Sequence, residues 1–105
     1  MSFLNDYLLR FQKDYSIWFA DRITCKDGFS LSVQVHSGAY CAPRDGMGPV
    51  WTHAEIGFPS DEPNKAVMTY AKNPSDPTQT VYPYVPMILI EQLIIEHGGM
   101  AEEAK

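Results

Sequence analysis

Residues Phe29 to His36 read FSLSVQVH, and this stretch decides the fold. Phe29, Leu31, Val33 and Val35 recur with a period of two, while Ser30, Ser32, Gln34 and His36 fill the alternate positions. Successive side chains of a strand point to opposite faces, so the pattern predicts a strand with one buried and one polar face. Such a strand belongs to an antiparallel sheet covered on one side, because parallel sheets bury both faces. Val50 to Phe58 alternates again: Ala54, Ile56 and Phe58 are expected on the core face, and Trp51, His53 and Glu55 on the other. Pro59 and Pro63 end this strand, since proline cannot donate a ladder hydrogen bond.

Outward from these strands the period changes. Ser2 is a competent N-cap, and Phe3, Leu4, Tyr7, Leu8, Phe11, Tyr15, Trp18 and Phe19 form one aromatic stripe at helical spacing, predicting a helix from Ser2 to Phe19. Lys26-Asp27-Gly28 supplies turn chemistry before the first strand. Downstream, Ala66 to Ala71 and Thr78 to Tyr84 read as two short strands of a hairpin around Asn73-Pro74-Ser75-Asp76-Pro77, with Pro83 confining the second to an edge. Pro86 fits a first helical position; an apolar run from Met87 to Ile95 follows, and His97-Gly98-Gly99 offers a left-handed cap. That helix is apolar over more than half its circumference, so it is expected to be embedded, with a homodimer through its second face as the alternative. The expected architecture is α+β: an N-terminal helix, an antiparallel sheet of three to five strands, and a C-terminal helix packed on the sheet. Residues 1–99 form one domain, and 100–105 a disordered tail.

The 105 residues and 11.8 kDa allow a single core, and 45% hydrophobic with 20% charged residues is an ordinary globular composition. Eight Lys and Arg against thirteen Asp and Glu give a net charge of −5, which disfavours nucleic acid as a partner. The N-terminus lacks the basic start and apolar run of a secretory signal, and no apolar stretch approaches the roughly 20 residues of a membrane span. Cys25 and Cys41 are too few for a disulfide-built domain, so two free thiols in a cytoplasmic protein are expected, with one bridge between them left open.

The unusual polar residues concentrate between His36 and Glu55. Ser37 to Pro49 holds three glycines and two prolines and reads as a long loop, a kind of segment that tends to be functional. If the strands on either side pair, Gln34, His36, Trp51, His53 and Glu55 share a face, with Tyr40, Cys41 and Arg44 on the loop beside it. A stacking group, two imidazoles, a carboxylate and a guanidinium suit a planar or anionic ligand. A solvated sheet face under a decorated loop is the plain alternative. A Cys41–histidine catalytic pair has the right chemistry but no surrounding signature. Cys25, His36, Cys41 and His53 are zinc-type ligands whose spacings contain no close-spaced pair, so no metal and no cofactor is expected. Asp45-Gly46-Met47-Gly48-Pro49 lacks the lysine and helix of a phosphate loop.

Three segments, LSVQVHSGAYCAPR (31–44), EIGFPS (55–60) and TVYPYVPMILIEQLIIEHGG (80–99), resemble a family of small uncharacterised proteins encoded by bacterial viruses, over roughly residues 23–99. The resemblance implies a bacterial host cytoplasm and a small accessory reading frame. Proteins of that kind often act by stoichiometric binding, blocking a host defence protein or sequestering a nucleotide signal. The expectation is therefore a non-enzymatic binding protein for a host protein or small anionic ligand, through His36, Tyr40, Cys41, Arg44, Trp51, His53 and Glu55. A small cysteine/histidine-dependent enzyme and a virion or assembly component are the alternatives.

Overall fold

Leu31, Val33 and Val35 are fully buried, and the polar residues between them line the other face of strand β2, Ser30–Gln34. The computed structural model describes residues 3–12, 18–44 and 50–101. Around β2 stand helix α1 (Phe3–Leu9), strand β1 (Ile23–Thr24), strand β3 (His53–Gly57), helix α2 (Lys65–Met68), strand β4 (Val81–Pro86) and helix α3 (Met87–Glu96). The strands form a four-stranded antiparallel sheet in the order β1-β2-β3-β4. Val33 faces Ile56, which in turn faces Tyr82, so one row of apolar side chains crosses three strands on the inner face. Leu4 and Leu8 of α1 and Met87, Ile90, Leu93 and Ile94 of α3 join that row in a single core. Each fully buried aliphatic side chain there contributes roughly 1.5–3 kcal/mol of transfer free energy. The α+β architecture is the expected one, with α3 contacting β4.

α3 ends as the glycines predict. Gly98 N–H donates to Ile95 O at 3.0 Å and Gly99 N–H to Ile94 O at 2.9 Å, with φ of 93° and 85°, the two reciprocal bonds of a Schellman cap. The chain then turns along the outer side of β1: Met100 bridges Cys25, and Ala101 N–H donates to Thr24 O at 2.8 Å. These two residues, expected in the tail, are thus paired; 102–105 lie outside the described residues.

Several expectations are corrected. The N-terminal helix stops at Leu9, and Arg10, Phe11 and Gln12 each donate to the carbonyl three residues back. Ser2 and Tyr15 lie outside the described residues, but Trp18 to Ala20 are not helical. Gln34 explains why: its side-chain amide donates to Ala20 O at 3.0 Å and accepts from Ala20 N–H at 2.9 Å. One polar side chain satisfies both backbone groups that a helix would have used. Residues 66–71 form no strand; Asn64 Oδ1 caps α2 by accepting from Val67 N–H at 3.0 Å, so the chain turns helical for Lys65–Met68. Without a partner there, β4 runs Val81–Pro86 and pairs only with β3, at the sheet edge that Pro83 predicts. Phe58 is half exposed with φ 48°, because the chain leaves β3 in a left-handed turn before Pro59.

Candidate functional site

An irregularity in β4 organises the polar region. Ala54 faces Val85 and Ile56 faces Tyr82, so the single residue Glu55 opposes both Pro83 and Tyr84. A bulge of this kind re-aims side chains. Tyr82 stays fully buried, whereas Tyr84, at φ 52°, swings outward and is 38% exposed. Its freed N–H donates to Tyr40 O at 3.1 Å, which brings the loop after β2 onto the bulge.

The loop is stitched down at three further points. Ala42 N–H donates to His53 O at 3.1 Å, Thr52 N–H donates to Ala42 O at 2.9 Å, and Tyr40 N–H donates to Glu55 Oε1 at 2.9 Å. The outcome is a ledge. The Tyr40 and Tyr84 rings lie 5.8 Å apart, and the Arg44 guanidinium carbon sits 5.7 Å and 5.9 Å from their centroids. Arg44 Nη1 donates to Tyr84 Oη, and Lys72 Nζ lies 6.0 Å from the Tyr40 centroid. Tyr40, Arg44 and Tyr84 are all exposed. Two aromatic faces with two cations within cation–π range form a surface for planar or anionic groups.

Four of the expected site residues serve elsewhere. Trp51 does not share a solvent face with His53 and Glu55: it is fully buried, its ring 6.1 Å from that of Trp18. The reason is α1, whose Asn5 accepts from Trp51 N–H at 2.7 Å and donates to Trp51 O at 3.2 Å, holding the segment just before β3 against the helix. Trp51 Nε1 is buried and has no hydrogen-bond partner among the described residues. His36 is buried rather than on the polar face, edge-on to Phe19 at 4.8 Å, with Nδ1 accepting from Gly38 N–H at 3.1 Å. Burial lowers its pKa, and the Glu55 carboxylate opposes that shift. Cys41 is fully buried, its thiol donating to Pro43 O at 3.4 Å and His36 O at 3.6 Å. His53 is half-buried, its Nδ1 2.9 Å from Thr52 Oγ1. Cys25 and Cys41 are both free thiols; burial, then the Asp27 charge, pushes Cys25 up.

The ledge therefore keeps Tyr40, Arg44 and, through its hydrogen bond, Glu55, and it adds Tyr84 and Lys72. Period-two reading places Tyr84 on the same face as the buried Tyr82, so only the bulge reveals it. Pro83 between the two tyrosines is the sequence sign of that irregularity. Asp45 lies outside the described residues. Among the described residues no group of three or more His, Cys, Asp or Glu is placed to hold a metal ion, and no helix is long and apolar enough to cross a membrane. No family model, curated protein or solved structure matches the chain.

Proposed function

We propose that the chain is a non-enzymatic, stoichiometric binding protein whose ledge of Tyr40, Arg44, Tyr84 and Lys72 takes a ring-bearing anionic ligand of nucleotide type. The observation that carries this reading is the Arg44 guanidinium set against two exposed tyrosine rings on a loop hydrogen-bonded to the sheet. Stacking on a ring and pairing of an anion with Arg44 and Lys72 are complementary demands of such a ligand. The nearby carboxylate of Glu55 is occupied by the Tyr40 N–H, which tempers its repulsion of an anion. The resemblance to bacteriophage proteins supplies a setting, the host cytoplasm, in which sequestering a nucleotide signal has a purpose.

Isothermal titration against a panel of nucleotides tests this. Saturable binding that Arg44→Ala and Tyr84→Ala each weaken is the expected result. No binding across the panel by the folded protein overturns the nucleotide assignment. Capture of a host protein through the same two residues would then make the ledge a protein-binding surface.

A further inference from the structure

Away from the ledge, the turn after β1 and the cap of α3 meet and hold a second constellation. Asp27 N–H donates to His97 O at 3.2 Å and Lys26 N–H to Gly99 O at 2.9 Å, so the two turns are fixed to each other. Asp27 Oδ1 accepts from Phe29 N–H at 2.9 Å, and Oδ2 lies 2.6 Å from His97 Nδ1. The imidazole lies flat on the Phe29 ring, with centroids 4.0 Å apart and planes 8° apart. The Phe29 N–H, then His97, hold the Asp27 carboxyl below the usual carboxylate range. In the neutral imidazole, the 2.6 Å contact with Asp27 Oδ2 places the proton on Nδ1 and leaves Nε2 as an acceptor. Nε2 has no hydrogen-bond partner among the described residues.

Asp27, Phe29 and His97, with Gly28, Ser60 and Asp61, line an open cleft of about 300 Å³. Five of its backbone donors are spent inside the fold: Asp27 on His97 O, Gly28 on Cys25 O, Phe29 on Asp27, Ser60 on Ser30 O and His97 on Ile94 O. What remains is acceptors. They are the carboxylates of Asp27 and Asp61, the imidazole Nε2 and the Ser60 hydroxyl, whose oxygen accepts from Ser30 N–H at 2.9 Å. Asp61 Oδ1 accepts from Glu62 N–H at 2.8 Å, which leaves Oδ2 over among the described residues. No lysine or arginine lines the cleft, and Arg22, just before β1, is engaged by Ser30 and by Phe58 O. An anion would meet two carboxylates and no cationic wall. A donor-rich cation would meet complementary charge and lone pairs together.

We propose that this cleft binds the ammonium or guanidinium head of a ligand, with Asp61 and His97 Nε2 as its principal acceptors and the stacked His97–Phe29 pair as its rigid wall. The head group is either that of a free small molecule or that of a lysine or arginine side chain on another protein.

Titrations with ethylguanidinium, ethylammonium and tetramethylammonium, followed by amide NMR shifts near neutral pH, provide the test. The first two should move residues 27–29, 60–61 and 97–98 saturably. Tetramethylammonium carries the same charge without N–H donors and should not. Asp61→Asn, at an exposed position, should weaken binding about tenfold, as should His97→Phe, which keeps the stack and removes both nitrogens. A capped arginine peptide that saturates more tightly than ethylguanidinium identifies a protein side chain as the source; the reverse order identifies a small molecule. Absence of saturable shifts in the folded protein overturns the proposal. So does tetramethylammonium binding as tightly as ethylguanidinium, or Asp61→Asn binding unchanged.

Discussion

The Tyr40–Arg44–Tyr84 ledge and the Asp27–His97 cleft are built by opposite means. The ledge presents donors, cations and ring faces on long side chains, carried by a loop that a strand irregularity holds in place. The cleft presents acceptors on short side chains, set by two backbone turns and a glycine cap. One chain of net charge −5 thus carries a donor-rich and an acceptor-rich surface. Each region is therefore vulnerable at a different place. The ledge depends on what packs beneath β3 and β4, and the cleft depends on backbone conformations that few residues adopt.

Both regions rest on one core. Ile56→Ala removes a fully buried side chain from the row joining β2, β3 and β4 and should cost about 2–5 kcal/mol, a fall in Tm of ten degrees or more. Urea melts followed separately at each region should coincide; a cleft that outlasts the ledge would show two independent folding units.

Smaller changes should separate the regions. Asn5→Ala leaves the buried N–H and C=O of Trp51 without their partner and should cost about 1–3 kcal/mol. Hydrogen exchange should quicken around residues 51–53 while residues 27–29 and 97–99 stay protected. Gly98→Ala is the mirror experiment. It forces an L side chain to φ 93° with its Cβ 3.2 Å from that of Lys26, at about 1–2 kcal/mol, and should loosen the cleft alone. Equal disturbance of both regions by either variant would sink the distinction.

Acid gives the gentlest separation. His36 has its pKa lowered by burial, so the unfolded chain takes up that proton first and stability declines as the pH falls below about 6.5. Asp27 is also lowered, by its hydrogen bonds, so its contribution is complete above about pH 3.9 and vanishes as the pH falls through its folded value. Stability measured in urea against pH should therefore drop in two stages, the first at the base of the ledge loop. The first stage should be absent in His36→Gln and the second in Asp27→Asn; a variant that keeps its stage refutes the assignment.

The legibility of these features in the sequence follows from the range of the interactions behind them. The alternation from Phe29 to Val35 and the cap at Gly98-Gly99 are local, and both stand in the structure as read. The non-helical path of Trp18 to Ala20 is not local. The aromatic stripe continues at helical spacing, but Ala20 is claimed by Gln34, fourteen residues on. Residues 66–71 were open to either conformation by composition, and Asn64, a capping residue after Pro63, decided for a helix. Within the ledge, Tyr40 and Arg44 stood out by residue type, whereas Tyr84 depends on a bulge and Lys72 on where the segment before β4 passes. Trp51 departs from the alternation because it precedes β3, and Asn5 of α1 holds its backbone from forty-six residues away. Asp27 and His97 were visible as turn and cap; their meeting across seventy residues was not.

The pairing of Met100 and Ala101 with β1 bears on how copies of this chain meet. An open sheet edge is a template on which another molecule's strand can grow. Here the β1 edge is occupied by the chain's own residues, and the β4 edge is broken by Pro83, Pro86 and the outward Tyr84. Neither border of the sheet offers an uninterrupted row of amides and carbonyls. Association between copies would instead run through side chains, and Ile88 and Ile95, 63% and 62% exposed along one side of α3, are apolar residues open to it. Among the described residues, edge-to-edge pairing of the sheets of two copies therefore lacks a template.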